Sequence, residues 1–554
     1  MGLGVLEDKY LGQDVPGTCL LDDLHAKKHG APVVDPSRPD VKRSKDGIIL
    51  VPQPSDSPND PLNWPTWRKM ALMLTITYGA GIVGAFGPII GAGLVQVAEN
   101  LNTDVSQLSE ITGDTVLAIG LVLFLTAPAS VVWGRRPIFL IGNVLLLVSC
   151  IWSALAKSVG SLTAARVVGG AGMAPIECLV EATIGDIFFV HERGTWIALW
   201  SFALLAGIYG VSIVNGYLIQ DVSWRACFWI EGGLCGLLLI LTILFVPETA
   251  WVRPEVDTLA PPSNPSPAGT TDTESSSQNE KASDKQVDVE VGSRTIEIVE
   301  QEKPYSYWRY LKLFEGRRYT SEKFWRIATR PFILICSPCV AWGALVYGTT
   351  QGWVVGLSVS ISLLFSTPEY GYNFGAGAVG LMSGVGPFIA TLLANAMAGP
   401  LSDYCVKWMA RRNGGIYEPE FRLVLIIPTF FFQVMGWFGW AVSAHLLDPW
   451  IAPIFFYSVI SFGLSLSSIA VVSYVVDAHP HYAPESFATI NASKNIFVFG
   501  LTYYIIDWLN SQGVLKCFST IGGLVVFVCV MTIPMYIYGK RARSWVHRTP
   551  WMLS

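Results

Sequence analysis

Five hundred and fifty-four residues would suffice for three or four soluble domains. Yet charged residues make up only 14% of the chain and apolar residues 51%, against about 25% charged in soluble proteins. The apolar residues come in blocks of twenty or more, the length that crosses a ~30 Å hydrocarbon core at 1.5 Å per residue, so the chain reads as a polytopic membrane protein rather than a soluble one. The net charge of −5 is uneven: residues 254–302 hold eleven acids and three bases, and residues 1–66 hold ten acids and seven bases. No basic cluster points to nucleic acid.

Residues 1–67 are polar and rich in Pro and Asp, which predicts a disordered tail with no cleavable signal peptide. Twelve spans follow, at 69–97, 110–132, 137–157, 159–190, 195–220, 227–247, 331–366, 375–398, 422–443, 449–476, 485–508 and 516–538. One set of connections and ends carries Arg68, Lys69, Arg135, Arg136, Arg193, Lys407, Arg411, Arg412, Arg422, Lys540, Arg541 and Arg543. The opposite set carries Lys157, Arg225 and Lys516. Positive charge gathers on the cytosolic side of membrane proteins, so both termini and the long connection between spans six and seven are expected there. That connection has an acidic middle too poor in large apolar groups to pack. Its end, Tyr305–Arg330, is aromatic and basic and predicts helices on the membrane surface. The fold class is therefore all-α membrane, with twelve transmembrane helices. The plan is a tail (1–67), a six-helix half (68–251), a loop (252–330), a second six-helix half (331–538) and a short tail (539–554).

The halves repeat a signal. After the second span of the first half comes Pro128-Ala129-Ser130-Val131-Val132-Trp133-Gly134-Arg135-Arg136-Pro137. After the second span of the second half comes Gly399-Pro400-Leu401-Ser402-Asp403, then Arg411-Arg412. A Gly/Pro turn followed by paired arginines at the same place in both halves fits two matching six-helix units around a midplane cavity. At these residues the chain resembles the major facilitator superfamily, whose signature loop reads G-x-L-x-D-R-x-G-R-R. Val131 and Val132 stand where that loop has its acid and a base, while Asp403 keeps the acid in the second copy. The strings Asp60-Pro61-Leu62-Asn63-Trp64-Pro65, Pro247-Glu248-Thr249 and Arg411-Arg412-Asn413-Gly414-Gly415 resemble the fungal drug:proton antiporter-type proteins of the polyamine/histidinol-permease-like group. The resemblance implies the major facilitator fold, small-molecule cargo, protons as coupling ions and no cofactor. It also implies a gate built on Gly134, Arg135, Arg136, Asp403 and Arg411, and Asp477, at the end of span ten, is a further gating candidate. In span five, Gly207-Ile208 and Gly210-Val211 stand where the antiporter signature has Gly-Pro pairs, with Asn215-Gly216 after them.

Ionisable residues within hydrocarbon are costly, which makes them the strongest functional signal in such a chain. Span four carries Arg166, Glu177 and Glu181. Eleven residues turn a helix through roughly 1,100°, so Arg166 and Glu177 share a stripe, and Glu181 lies one turn further along it. A midplane carboxylate facing a cavity can carry a proton or meet a cation, or it can be locked to a neighbouring helix. Arg166 resembles the span-four arginine that the superfamily associates with proton coupling. Span eleven carries Asn491, Lys494 and Asn495 on one face. Lys494 lies too deep to snorkel and needs a carboxylate, for which Asp477 is the sequence candidate. Asp114 and Glu231 are weaker candidates for the outer mouth or for a pair with Arg225. Tyr78, Phe86, Tyr209, Tyr347, Gln351, Trp353, Asn395 and Tyr474 are candidates to shape a pocket.

Enzymatic patterns are missing. There is no phosphate-binding G-x-x-x-x-G-K-[ST] string, and Gly375-Ala376-Gly377-Ala378-Val379-Gly380 opens an apolar helix with no strand before it, so it reads as helix packing. The ten cysteines, mostly in apolar spans, suggest neither a disulfide framework nor a metal site. The expectation is a monomeric, proton-coupled transporter of the plasma membrane that exports a small organic molecule. Its rivals are uptake of organic cations such as polyamines, and a membrane sensor that transports nothing.

Overall fold

The computed structural model describes residues 3–10, 15–20, 52–251, 316–367, 372–479 and 482–549, together with residues 42, 50, 305, 309 and 312–314. The acidic middle of the loop lies outside the described residues. Among them, eleven helical stretches are long and apolar enough to cross a membrane. The last, Ala483–His547, breaks at Gly513, whose φ of +77° and ψ of 166° no helix contains. That break separates spans eleven and twelve, so the described residues hold the twelve spans that the sequence predicts. Spans one to six are Thr66–Phe86, Val105–Trp133, Arg136–Leu155, Val159–Ile187, Val190–Asp221 and Trp224–Phe245. Spans seven to ten are Pro338–Ser366, Ala376–Arg412, Ile426–His445 and Ile451–Ala478. Because both termini meet on one side, that side is called the terminal face below.

Several predicted boundaries move, each for a local reason. The span read as 69–97 stops at Phe86, just before Pro88, which has no N–H to donate to the helix. The chain then runs through a 3-10 turn, Gly91–Gly93, into a short helix, Leu94–Leu101. The span read as 331–366 is two helices, Phe324–Leu334 and Pro338–Ser366; Pro338 fits the first turn of the second, where its missing N–H is harmless. The predicted turn at Gly399-Pro400 lies inside the helix Ala376–Arg412, and the reversal falls at Gly414 and Gly415, with φ of +69° and +84°. In the first half the break does fall at the motif, at Gly134 with φ +95°. The surface helices expected over Tyr305–Arg330 reduce, among the described residues, to Phe324–Leu334.

Part of the segment expected to be a disordered tail is packed. Val5 is buried beside Val406, Met409, Ala410, Tyr417 and Phe421. Residues Cys19–Leu20 pair antiparallel with Ile416–Tyr417. Glu7 pairs with Lys540 at 2.9 Å, and Thr18 Oγ1 donates to Glu418 Oε2 at 2.8 Å. Gly17 sits at φ +87° against the Asp477 carbonyl, with no room for a Cβ. The strap rests on a buried charge cluster in which Arg543 binds Glu418 at 3.0 Å and Glu420 at 2.7 Å, and Lys540 binds Glu418 at 2.7 Å.

The two halves meet along two seams. Spans five and eight touch from the terminal face, where Gly194 faces Asp403, to the opposite face, where the Gly377 N–H donates to Gln220 Oε1 at 2.9 Å. Along that seam a Cβ on Gly380 would strike the Ser212 carbonyl, so glycine permits the approach. Spans two and eleven touch at Gly120 and Asn495, and Ser109 Oγ donates to the Thr502 carbonyl at 3.0 Å.

Candidate functional site

Between the halves lies a cavity of about 150 Å³. An apolar hole of that size holds roughly one aromatic ring. Its wall is mostly aliphatic, with Tyr209, Tyr347, Tyr457 and Gln351 among the side chains of mixed character. Of the residues expected to shape a pocket, Tyr209, Tyr347 and Gln351 do line it. Tyr209 donates to Ser461 Oγ at 2.9 Å and Gln351 Nε2 to Ser468 Oγ at 3.0 Å, so both are held in place from the second half.

Charge enters this wall at Glu177 and Lys494. Lys494 Nζ stands 3.3 Å from Glu177 Oε2, with both side chains close to nine-tenths buried. Asn495 Nδ2 donates to the same oxygen at 3.5 Å, and Asn491 Nδ2 donates to the Glu177 carbonyl at 3.3 Å. The i, i+3, i+4 spacing of Asn491, Lys494 and Asn495 therefore aims all three at one turn of span four. The carboxylate that Lys494 meets is Glu177, not Asp477. Asp477 instead accepts from Arg422 Nε and Tyr417 OH, both at 2.5 Å, at the terminal end of span ten. The pair joins span four of the first half to span eleven of the second. Lys494 Nζ also lies 5.8 Å from the centre of the Tyr347 ring, close enough for the ring's negative face to favour a cation.

Arg166 is fully buried and does not reach Glu177. Its two terminal nitrogens donate to the carbonyls of Phe86 at 2.5 Å and Gly87 at 2.6 Å, and its guanidinium stacks over the Phe86 ring. Asn215 Nδ2 donates to the Ile89 carbonyl at 2.7 Å. These two side chains satisfy the carbonyls freed where span one breaks, and the broken segment lines the cavity through Gly87, Pro88, Ile90 and Gly91. Glu181 is 3% exposed, lies one turn from Glu177, and has no hydrogen-bond partner on either oxygen among the described residues.

The gating candidates lie on the terminal face, their ion pairs each within one half and Asp403 facing across the seam. Arg135 pairs with Asp186 at 2.7 Å. The N–H groups of Arg135 and Arg136 donate to the two oxygens of Glu248, at 2.8 and 3.2 Å, at the start of span three, where a negative charge also complements the helix dipole. Arg136 reaches back to the carbonyls of Val246 at 2.6 Å and Ile243 at 2.9 Å, fastening span three to the end of span six. In the second half, Asp403 faces Gly194 near the start of span five, Arg422 holds Asp477, and Arg411 is exposed. A cavity of about 890 Å³ opens on this face, lined by Arg135, Asp186, Arg330, His479 and Glu485 among others.

Away from these clusters, Asp114 accepts from Tyr503 OH at 3.2 Å, and Arg225 donates to the Ala156 carbonyl at 3.1 Å; neither contact involves Glu231, which is buried within the first half. Sequence reasoning gave no site role to Glu248 or Glu420 and used Arg422 and Arg543 only as markers of orientation. Glu248 had a signal in the Pro247-Glu248-Thr249 string, which served only as a family marker.

The Major Facilitator Superfamily model matches residues 70–502. The chain is 26% identical to Protein HOL1 of Saccharomyces cerevisiae, over 98% of both chains. It is 25% identical to Efflux pump radE of Floropilus chiversii, over 88% of this chain and 84% of that one. Among solved structures it is similar to the proton:xylose symporter XylE, with a TM-score of 0.56 at 16% identity over 84% of this chain and 96% of that one.

Proposed function

The chain belongs to the Major Facilitator Superfamily, and from that premise we propose that it is a proton-coupled secondary transporter exporting a small organic molecule across the plasma membrane by alternating access. The observation that carries this reading is the Glu177–Lys494 pair, which crosses from one half to the other at the wall of the cavity. Alternating access separates the halves first at one end and then at the other. A charged tie across the seam resists that separation, because pulling a buried pair apart leaves two uncompensated charges. A proton on Glu177 removes one of the charges and frees the lysine, so proton binding and opening become one event. Arg135, Arg136, Glu248, Arg422 and Asp477 brace the gate on the terminal face within each half, Asp403 faces the other half there, and Arg166 with Asn215 keeps the broken span one in shape beside the cargo.

The excess of arginine and lysine on the terminal face supports a cytosolic position for both termini. The aliphatic and aromatic wall suits an apolar or amphipathic cargo. Similarity to a protein named as an efflux pump supports the outward direction. Cargo and protons are the expected partners, with no cofactor and a monomer in the bilayer. One observation favours the rival, uptake of an organic cation such as a polyamine: Lys494 already places an ammonium between the Glu177 carboxylate and the Tyr347 ring, and a cargo ammonium would meet the same two groups. Purified protein in vesicles under an imposed pH gradient tests both readings, with rhodamine 6G as an apolar cation-dye probe of export and spermidine as the probe of uptake. Dye movement against the proton flow supports export; spermidine movement with the protons moves the assignment to uptake. Flux that ignores the gradient overturns proton coupling.

A further inference from the structure

Span four presents two carboxylates to a single lysine. Glu177 and Glu181 stand one turn apart, and Lys494 neutralises the first of them. The charged and titratable groups that act on Glu181 are Glu177 and Cys178 on its own helix, Lys494 from span eleven and Tyr347 from span seven, while Glu485 of span eleven and Arg135 act on the adjacent Cys178. Arg135 is paired with Asp186, and Glu485 faces Arg330 at 3.9 Å. No donor reaches either oxygen of Glu181 among the described residues. A second anion in that place, buried and without a hydrogen bond, is disfavoured by several kcal/mol.

The geometry points to a proton-exchange site in which Glu177, Glu181 and Lys494 together hold one proton: it sits on Glu181 while Lys494 is paired with Glu177, and it leaves when Lys494 crosses to Glu181. The inference rests on the transporter reading above. The step balances. A proton arriving on the Glu177 carboxylate cancels its charge and releases the Lys494 ammonium. The ammonium moves one helical turn, about 5–6 Å, along span four, a reach that its flexible four-carbon stem and a sliding seam both allow. Glu181 gives up its proton as it becomes the anion that pairs with the lysine. One proton enters, one leaves, and the cluster is neutral before and after. Position gives the exchange a direction. Glu177 lines the cavity, whereas Glu181 is one turn closer to the terminal face, toward Asp186 and Arg135. A proton passed from the first to the second therefore moves toward the side assigned to the cytosol, as a plasma-membrane antiporter requires.

The test compares full-length wild type with Glu181→Gln, Glu181→Asp and Glu177→Gln. The first measurement needs no cargo: infrared difference spectra of purified wild type minus Glu181→Gln at neutral pH. A protonated-carboxyl C=O stretch in that difference is expected, and its absence overturns the proposal. The second is accumulation of the dye or spermidine in vesicles. A one-proton exchanger working on one pH unit accumulates cargo up to about tenfold. Glu181→Gln is expected to bring this to about onefold while exchange of cargo at equal pH continues, and Glu181→Asp is expected to restore it in part. A Glu181→Gln protein that accumulates like wild type overturns the proposal. So does a loss of thermal stability in Glu181→Gln equal to that in Glu177→Gln, because a carboxyl that is already neutral loses little on becoming an amide. Failure of the transporter reading looks different: wild type itself then shows no gradient-driven accumulation, whatever the infrared spectrum contains.

Discussion

Lys494→Met tests the tie between the halves. The methionine keeps the length and apolar stem of the lysine and removes the charge that faces Glu177 at 3.3 Å. What remains near that carboxylate is the Asn495 amide, at the outer limit of hydrogen-bonding distance at 3.5 Å. Removing one member of a buried pair typically destabilises by about 3–5 kcal/mol; exposures of 14% and 12% at the two side chains let some solvent relax the orphan, so about 2–4 kcal/mol is the expected loss. Glu177→Gln leaves the lysine unpaired and is expected to lose a similar amount. The double variant leaves no unpaired charge and is expected to recover most of it, giving a coupling of about 3 kcal/mol or more in a double-mutant cycle. The assay is thermal unfolding of the four purified proteins in one detergent, read with the rate of cargo exchange at equal pH on the two sides. Because the pair joins the halves, the double variant should also open more easily and exchange cargo faster than wild type. Additive single losses, or a double variant with slowed exchange, would refute a pair that ties the halves together.

Four further outcomes are expected. Glu248→Ala frees the Arg135 and Arg136 N–H groups at the start of span three and should lower stability by about 1–2 kcal/mol, measured by unfolding, whereas Glu248→Gln should lose less because its amide oxygen still accepts. Arg166→Met uncaps the Phe86 and Gly87 carbonyls, so it should reduce folded protein on size-exclusion chromatography and not merely alter the pH profile of transport. Deleting residues 2–18 removes the buried Val5 and the partners of Lys540 and Glu418, and should lower the unfolding midpoint even though no cavity residue changes. Burial, with the nearby Arg543, holds the His479 imidazole down to about 4, from an ordinary 6.5. The unfolded chain therefore takes up a proton on falling below pH ~6.5 while the folded one refuses it until pH ~4, so this contribution is complete above pH ~6.5 and is lost between those values, by about 3 kcal/mol. Unfolding of His479→Gln should show a correspondingly shallower acid limb.

The architecture was legible because hydrocarbon imposes it: each block of about twenty apolar residues must be a helix, and the spacing of Asn491, Lys494 and Asn495 already put three polar groups on one face. What the pattern could not give was partnership across the chain. Lys494 and Glu177 are 317 positions apart, and periodicity says nothing about which stripe faces which, so the nearer-seeming Asp477 was the sequence candidate. The stripe shared by Arg166 and Glu177 was real but misleading, because the break at Gly87-Pro88 supplied the arginine with carbonyls that no helical wheel shows. The N-terminal strap was hidden for the opposite reason. Its composition is that of a disordered segment, and its few anchors, Val5, Glu7 and Thr18, become meaningful only once the second half offers a pocket and a buried charge cluster.

The distribution of charged ties explains how such a molecule can move as two bodies. Arg135–Asp186 and the Glu248 contacts lie within the first half, and Arg422–Asp477 and Arg543–Glu420 lie within the second. Each joins elements that must keep their geometry while the halves rock. Across the seams most of the contacts described are of another kind: the Gly377 N–H to Gln220, Tyr209 to Ser461, Ser109 to the Thr502 carbonyl, and glycine faces in van der Waals contact, with one carboxylate, Asp114, accepting from the Tyr503 hydroxyl. A neutral hydrogen bond contributes only about 1 kcal/mol net, so a seam made of a few of them can part on the microsecond-to-millisecond scale of domain motion. The Glu177–Lys494 pair departs from that rule by placing full charges across the moving boundary, at the cavity wall. On the reading proposed above, a tie that weakens on protonation, set among ties that do not need to break, makes the proton the condition for the motion.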